Sequence, residues 1–356
     1  MIEQFEDLRG YKPYNEIKST QPTRATCFHP SGDAFVVGSN NRTMSICRYP
    51  TRAEINSFTN DDLPTRPDIY FSFLQTHRGS IYCASFDNSG RLLATGSNDQ
   101  TIRVIQYNPE SHKPEDCEYK LQMHRGTIRD ITFSKDNQST LLLSAGAGEF
   151  EIYVTDCQTM KPIKAFREHE STVMSLYTWD VGNKMFVSGS LDKTIKLWDL
   201  RCQSAVHSWT ASNHSLNDPD DSENRNSRPI NVVRVDSTGQ LLVSGHKDGS
   251  CMLYDLRGRR IIQLMQAHHD EIRTLNFSPK NYYLLTASYD HTVKLFDIQG
   301  DLTRKLESAE IAQLKDRVVQ TAWHPTDYNF VTTCADGTAT LWTIPSYSAD
   351  NGKNFD

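Results

Sequence analysis

One strand-turn-strand word, written most fully as FVSGSLDKTIKLWDLR at Phe186–Arg201, recurs along the chain and sets the terms for folding it. FVSGS and TIKLWDL are short, β-branched and alternating in polarity, as strands are. Leu191-Asp192-Lys193 between them reads as a tight turn whose Asp can bond its own backbone. The turn acid or its replacement returns at Asn41, Asp99, Gly148, Asp192, Asp248, Asp290 and Asp336. Six residues further on stand Cys47, Ile105, Val154, Trp198, Tyr254, Phe296 and Trp342. A histidine four residues ahead of an apolar strand residue recurs as His77/Ile81, His124/Ile128, His169/Val173 and His268/Ile272. A unit repeated at this spacing cannot bury its apolar faces alone, so the copies must stack on one another.

The set His169, Ser188, Asp192 and Trp198 resembles the WD-repeat blade, whose pattern implies a hydrogen-bonded tetrad from the inter-blade loop to the third strand. Seven copies predict an all-β chain, a seven-bladed WD40 β-propeller, and a ring leaves no long exposed edge if an N-terminal strand completes the last blade. YKPYNEIKS, within residues 1–22, can supply that strand. The propeller is expected over 23–345, with blades near 23–50, 76–108, 123–158, 168–201, 226–258, 267–300 and 314–345. Residues 51–75, with two prolines and an acidic pair, read as a link to the second blade. Residues 212–229, SNHSLNDPDDSENRNSRP, cannot bury apolar area and read as an acidic mobile loop. Residues 346–356 read as a disordered tail.

Composition excludes several functions. A net charge of −6 argues against nucleic acid as the default partner. No apolar run approaches the roughly 18 residues of a membrane span, and no signal-peptide pattern opens the chain. The eight cysteines never form CxxC, so small buried thiols in a reducing, cytosolic compartment are expected, with neither metal nor disulfide. No phosphate loop, HExxH or nucleophile elbow occurs, and no cofactor is expected. His169, Ser188 and Asp192 superficially resemble a hydrolase triad. Their recurrence as His77–Thr95–Asp99 and His268–Thr286–Asp290 marks a structural brace, because catalytic sites seldom repeat. No catalytic residue is assigned.

The informative positions lie where first strands meet the central channel. After each apolar anchor come Arg24, Tyr82, Arg129, Met174, Asn231, Arg273 and Val319, while Glu271 and Arg317 precede two of the anchors. Before each turn acid stand Asn40, Asn98, Ala147, Leu191, Lys247, Tyr289 and Ala335. One face thus gathers arginine beside tyrosine in an acidic chain, and these residue types dominate interface energies. Arg24, Tyr82, Asn98, Arg129, Met174, Leu191, Arg273, Tyr289 and Arg317 are the candidate partner-binding set, for a segment with acidic and apolar side chains. The rival reading is that these arginines are solvated rim charges, balanced by neighbours such as Asp130 or Glu271.

HRGSIYC, HRGTIRDITF, SAGAGEFEIYVTDCQ, GSCMLYDLRG, YYLLTASYD followed by DIQGDLT, and TLWT resemble the C-terminal WD-repeat domain of the nemitin (WD repeat-containing protein 47) family, from about Thr23 to Ile344. The resemblance implies a cytoplasmic, microtubule-associated scaffold of neurons and cilia, touching microtubules indirectly and docking a patronin/CAMSAP-type minus-end protein. It also implies a monomer here, since the family's self-associating N-terminal LisH and CTLH modules do not occur in this sequence. The insertion at 212–229 departs from that pattern. A different reading comes from WDLR (198–201) and YDLR (254–257), which fit the WDxR pattern of cullin-ligase substrate receptors. Arg201 and Arg257 would then meet the ligase adaptor from the opposite face.

Overall fold

The computed structural model describes residues 10–59, 62–134, 140–179, 184–210 and 228–345. Seven four-stranded antiparallel sheets are arranged as the blades of a propeller. Blade 4 is representative: Val173–Thr178 innermost, then Met185–Ser190, Thr194–Asp199 and, outermost, His207–Thr210. Second strands lie between neighbouring sheets and are buried almost end to end, as in Ala34–Ser39 and Tyr283–Ser288. Their side chains are therefore apolar, small or internally paired on both faces.

The core lies between blades. Val187 and Ile195 of blade 4 pack with Ile230, Val233, Leu242 and Met252 of blade 5 in one cluster. Second-strand glycines make this approach possible. A Cβ on Gly96 would stand 2.6 Å from the Ile128 methyl of the next blade, and one on Gly189 would stand 2.7 Å from that of Ile230.

Blade 7 is closed by the N-terminus. Lys12–Lys18 pairs antiparallel with Thr338–Thr343, and Ile17 joins the cluster containing Phe35, Val331 and Leu341. This pairing covers what would otherwise be an open ladder edge.

The stretch expected as a link, 51–75, is more than a link. It begins with a helix, α1 (Arg52–Ser57), carrying a capping box in which Thr51 and Glu54 satisfy each other's backbone N–H. Arg48 grips Glu54 at 2.7 Å, and Phe58 packs edge-on against Tyr14 of the closing strand. Asn15 then bridges to Thr65 in parallel, so the segment extends the outer edge of blade 7. Ile69–Phe73 finally forms the outer strand of blade 1. Other outer strands also fall beyond the blade limits drawn from sequence, among them Lys161–Phe166, Arg260–Gln266 and Ser308–Gln313. Solvent on one side and bulged pairing weaken the alternation that would mark them.

Of the segment 212–229, only Arg228 and Pro229 are among the described residues. Arg228 pairs with Asp248, and the Pro229 carbonyl accepts from the Lys247 N–H at 3.1 Å. The expectations for 1–9, 212–227 and 346–356 lie outside the described residues.

Candidate functional site

The site is made by one backbone irregularity repeated seven times. In each blade the pairing of first and second strands slips directly after the buried anchor, which is apolar in six blades and Thr23 in blade 1: between Thr23 and Ala25, Ile81 and Cys83, Ile128 and Asp130, Val173 and Ser175, Ile230 and Val232, Ile272 and Thr274, and Val318 and Gln320. A bulge places an extra residue on one strand and re-aims its side chain. The extra residues are Arg24, Tyr82, Arg129, Met174, Asn231, Arg273 and Val319, and all seven line one cavity at the channel mouth. Strict alternation would send every second residue away from the channel. The bulge lets Asp130, Ser175, Thr274 and Gln320, the next in line, face it as well.

The turns above are fixed in the same manner. The residue before each turn acid donates its backbone N–H to the loop entering its own blade: Asn98 to Ser80, Leu191 to Thr172, Tyr289 to Glu271, and likewise Asn40, Ala147, Lys247 and Ala335. These bonds hold the turns against the starts of the first strands, on the same rim.

The arginines are stacked on tyrosines. Tyr82 lies between the guanidinium groups of Arg24 at 5.1 Å and Arg129 at 4.9 Å. Tyr289 lies between Arg273 at 5.2 Å and Arg317 at 5.3 Å. Cation–π stacking of this kind holds the planar groups in place. Arg24 also donates to Asn40 Oδ1 at 2.7 Å. Burial, with Arg273 and Arg24 nearby, lowers the Arg129 pKa although Tyr82 opposes the shift. Asp130 does not neutralise Arg129. Its oxygens accept from Ile131 N–H at 3.0 Å and, across the blade boundary, Leu176 N–H at 2.8 Å. Burial raises its pKa, opposed first by Arg234. Glu271 is 3.9 Å from Arg273 but is shared with Lys247 at 3.6 Å.

Of the sequence-derived set, Arg24, Tyr82, Arg129, Met174 and Arg273 line the cavity, and Tyr289 and Arg317 join through stacking. Asn98 and Leu191 sit in the turns outside it. Arg234, absent from that set, also lines the cavity, held by Ser175 at 3.0 Å and stacked on Tyr177. It stands four residues after the blade 5 anchor, so counting through the bulge would have found it.

The tetrad is a continuous hydrogen-bonded chain. His169 Nδ1 meets Asp192 at 2.6 Å, His169 Nε2 meets Ser188 Oγ at 2.7 Å, and Trp198 Nε1 donates to the same Oγ at 2.7 Å. His77 and His268 repeat the contacts with Thr95 and Asp99, and with Thr286 and Asp290. In blade 1, Ser19 takes the histidine position and accepts from Asn41 Nδ2 at 3.0 Å. Cys27, Cys47 and Cys157 are each pushed up to about 12 by burial and are poor nucleophiles. Across the molecule, Arg201 is forked onto Asp199 of its own strand end at 2.9 and 2.7 Å, and Arg257 is exposed. That fork is a strand-end cap.

Two family models match the chain. Residues 70–106 match the WD domain, G-beta repeat. Residues 108–327, more than half of the chain, match the model described as Nucleolar protein 10-like, N-terminal domain, a β-propeller. This chain belongs to that family of WD-repeat propellers. It is similar to protein tipD of Dictyostelium discoideum, 26% identical over 78% of this chain and 41% of that protein. Periodic tryptophan protein 2 homolog of the same organism is 21% identical over 98% of this chain and 34% of its own length. Nuclear distribution protein nudF 2 of Penicillium rubens is 25% identical over 73% of this chain and 65% of its own length. The chain therefore spans about a third to two thirds of these relatives, and none of the three is a nemitin. A WD40 propeller of this kind is a protein-interaction scaffold.

Proposed function

We propose that this propeller is a non-enzymatic docking platform whose bulge-lined face captures an acidic and apolar segment of a partner protein. The observation that carries the reading is the gathering of Arg24, Arg129, Arg234 and Arg273 around one cavity in a chain of net charge −6. Tyr82, Met174 and Val319 supply apolar surface among them. The resemblance to nemitin supports a finer reading: a cytoplasmic, microtubule-associated scaffold of neurons and cilia. Its partner is then a peptide or helical segment of a patronin/CAMSAP-type minus-end protein.

The test is calorimetric titration of the chain with overlapping patronin-family linker fragments, beside Arg129→Glu/Arg273→Glu. Binding that falls at least tenfold in the double variant, with an unchanged thermal melt, is expected. Equal binding by both proteins would move the partner off this face. The matching Nucleolar protein 10-like family favours a second reading, a scaffold within a nucleolar particle. Nucleolar concentration of the tagged chain, together with no binding to any patronin fragment, would replace the microtubule reading with that one.

A further inference from the structure

The cavity holds more positive charge than an acidic peptide side chain would neutralise. Its charged lining is four arginines and Asp130. Asp130 is taken up by two backbone N–H groups and faces Arg234. Glu271, at the edge, divides its carboxylate among Arg273, Lys247 and the Asn231 amide. Among the described residues, Arg24 and Arg129 have no carboxylate within ion-pair distance, and the Nε groups of Arg129 and Arg273 are buried without a hydrogen-bond partner. Buried donors that stay unpaired are costly, and their cost falls when a ligand supplies the acceptors.

Geometry narrows the ligand. Arg24, Arg129 and Arg273 come from blades 1, 3 and 6, and so approach from separate directions around the ring. Stacking on Tyr82 and Tyr289 engages the faces of the guanidinium planes and not their N–H edges. The unpartnered Nε groups of Arg129 and Arg273 therefore remain for a ligand, while Arg24 Nε is held by Asn40. The cavity of about 60 Å³ has room for a few waters or one small anionic head group. A carboxylate brings one negative charge and two oxygens in a plane. A phosphoryl group brings a charge of about −1.5 to −2 and three strong acceptor oxygens in a pyramid. Three guanidinium groups around a point match the second description.

We infer that the channel-mouth cavity reads a phosphorylated serine or threonine side chain of the docked segment. This rests on the docking reading above and gives the site its chemical selectivity. The phosphoryl group would sit among Arg24, Arg129 and Arg273, with the peptide running over Tyr82 and Met174.

The experiment is titration calorimetry on the full chain at fixed ionic strength and pH 7.5, with three probes. These are N-acetyl-O-phosphoserine amide, N-acetyl-glutamate amide and inorganic phosphate. Saturable binding of the phosphoserine probe, at least tenfold tighter than the glutamate probe, is expected. Arg129→Gln should weaken it tenfold or more while melting no lower than wild type, because the variant removes an unpaired cation from beside two others. Should that variant fold poorly, Arg24→Gln carries the same test. Equal affinity for the glutamate and phosphoserine probes would overturn the inference. So would no saturable phosphoserine binding by a protein that still binds acidic linker fragments, an outcome that leaves the docking reading standing. Inorganic phosphate binding tenfold tighter than the phosphoserine probe would overturn the peptide source. Phosphoserine binding without any peptide binding would instead sink the docking reading on which the inference rests.

Discussion

Ser188 is the residue on which blade 4 turns, because its single hydroxyl oxygen serves both the Trp198 indole and the His169 ring at 2.7 Å each. All three side chains are buried, so neither partner can turn to water. Ser188→Ala should therefore destabilise the chain by about 2 kcal/mol, most of it the desolvation of groups left unpaired. Guanidinium-chloride unfolding would measure this, and a change under about 0.5 kcal/mol would show that the brace adds little. Residues at the channel mouth obey the opposite economy. Arg129 sits beside two like charges with its Nε unpaired, and such cost is tolerated where a site must wait for a ligand.

At the scale of elements, the inner strands are stitched on the side away from the arginine rim by histidines the sequence left unremarked. His29 at the end of the first strand of blade 1 reaches the Gly90 carbonyl of blade 2 at 3.1 Å. His324 of blade 7 reaches Gly32 of blade 1 at 2.9 Å, with Tyr49 stacked against its ring. Gly90 has φ +70°, and a Cβ there would stand 2.1 Å from His29 Nε2. Gly90→Ala should cost about 1–3 kcal/mol, combining left-handed strain with displacement of His29. Gly300→Ala is the matched control, since its φ is +97° but nothing lies within 4 Å of the added methyl. Comparing the two denaturation midpoints isolates the histidine contact. Equal losses would mean that strain alone accounts for the effect.

The whole ring responds to pH through histidines spread over several blades. Burial depresses His124 and His246 to about 4, despite Glu151 near the first and Asp248 near the second. Burial also lowers His77 and His268. An unfolded histidine titrates near 6.5, so the unfolded chain takes up protons that the folded chain refuses. Their contribution is complete above about pH 6.5 and is lost as pH falls toward 4, on the order of 3 kcal/mol for each of His124 and His246. The turn carboxylates act lower. Burial would raise Asp192 and Asp290, but hydrogen bonds from His169 and His268, and from Thr194 and Thr292, hold both well below the ordinary range. Their share stays intact down to about pH 4 and is lost below it. Denaturant midpoints at pH 7.5, 6 and 4.5 should fall progressively, and a flat profile would refute the account. Closure magnifies such losses, because each blade buries its core against the next.

The repeating word carried the fold. Its turn acids, loop histidines and strand alternation are local features whose physics is complete within about forty residues, so the blade count and the tetrad were legible. Outer strands were not, since half their surface meets solvent and their pairing is bulged, as in Arg260–Gln266. Nor was α1, a single capped turn whose place depends on Tyr14 and Asn15 far away in the chain. For the site, the identity of the rim arginines was readable from register. Their arrangement was decided by seven bulges that turn consecutive residues to one side, by tyrosines wedged between guanidinium groups of different blades, and by the approach of Arg234. Sequence specifies which side chains each blade offers; only ring closure sets how near like charges from separate blades are forced to stand.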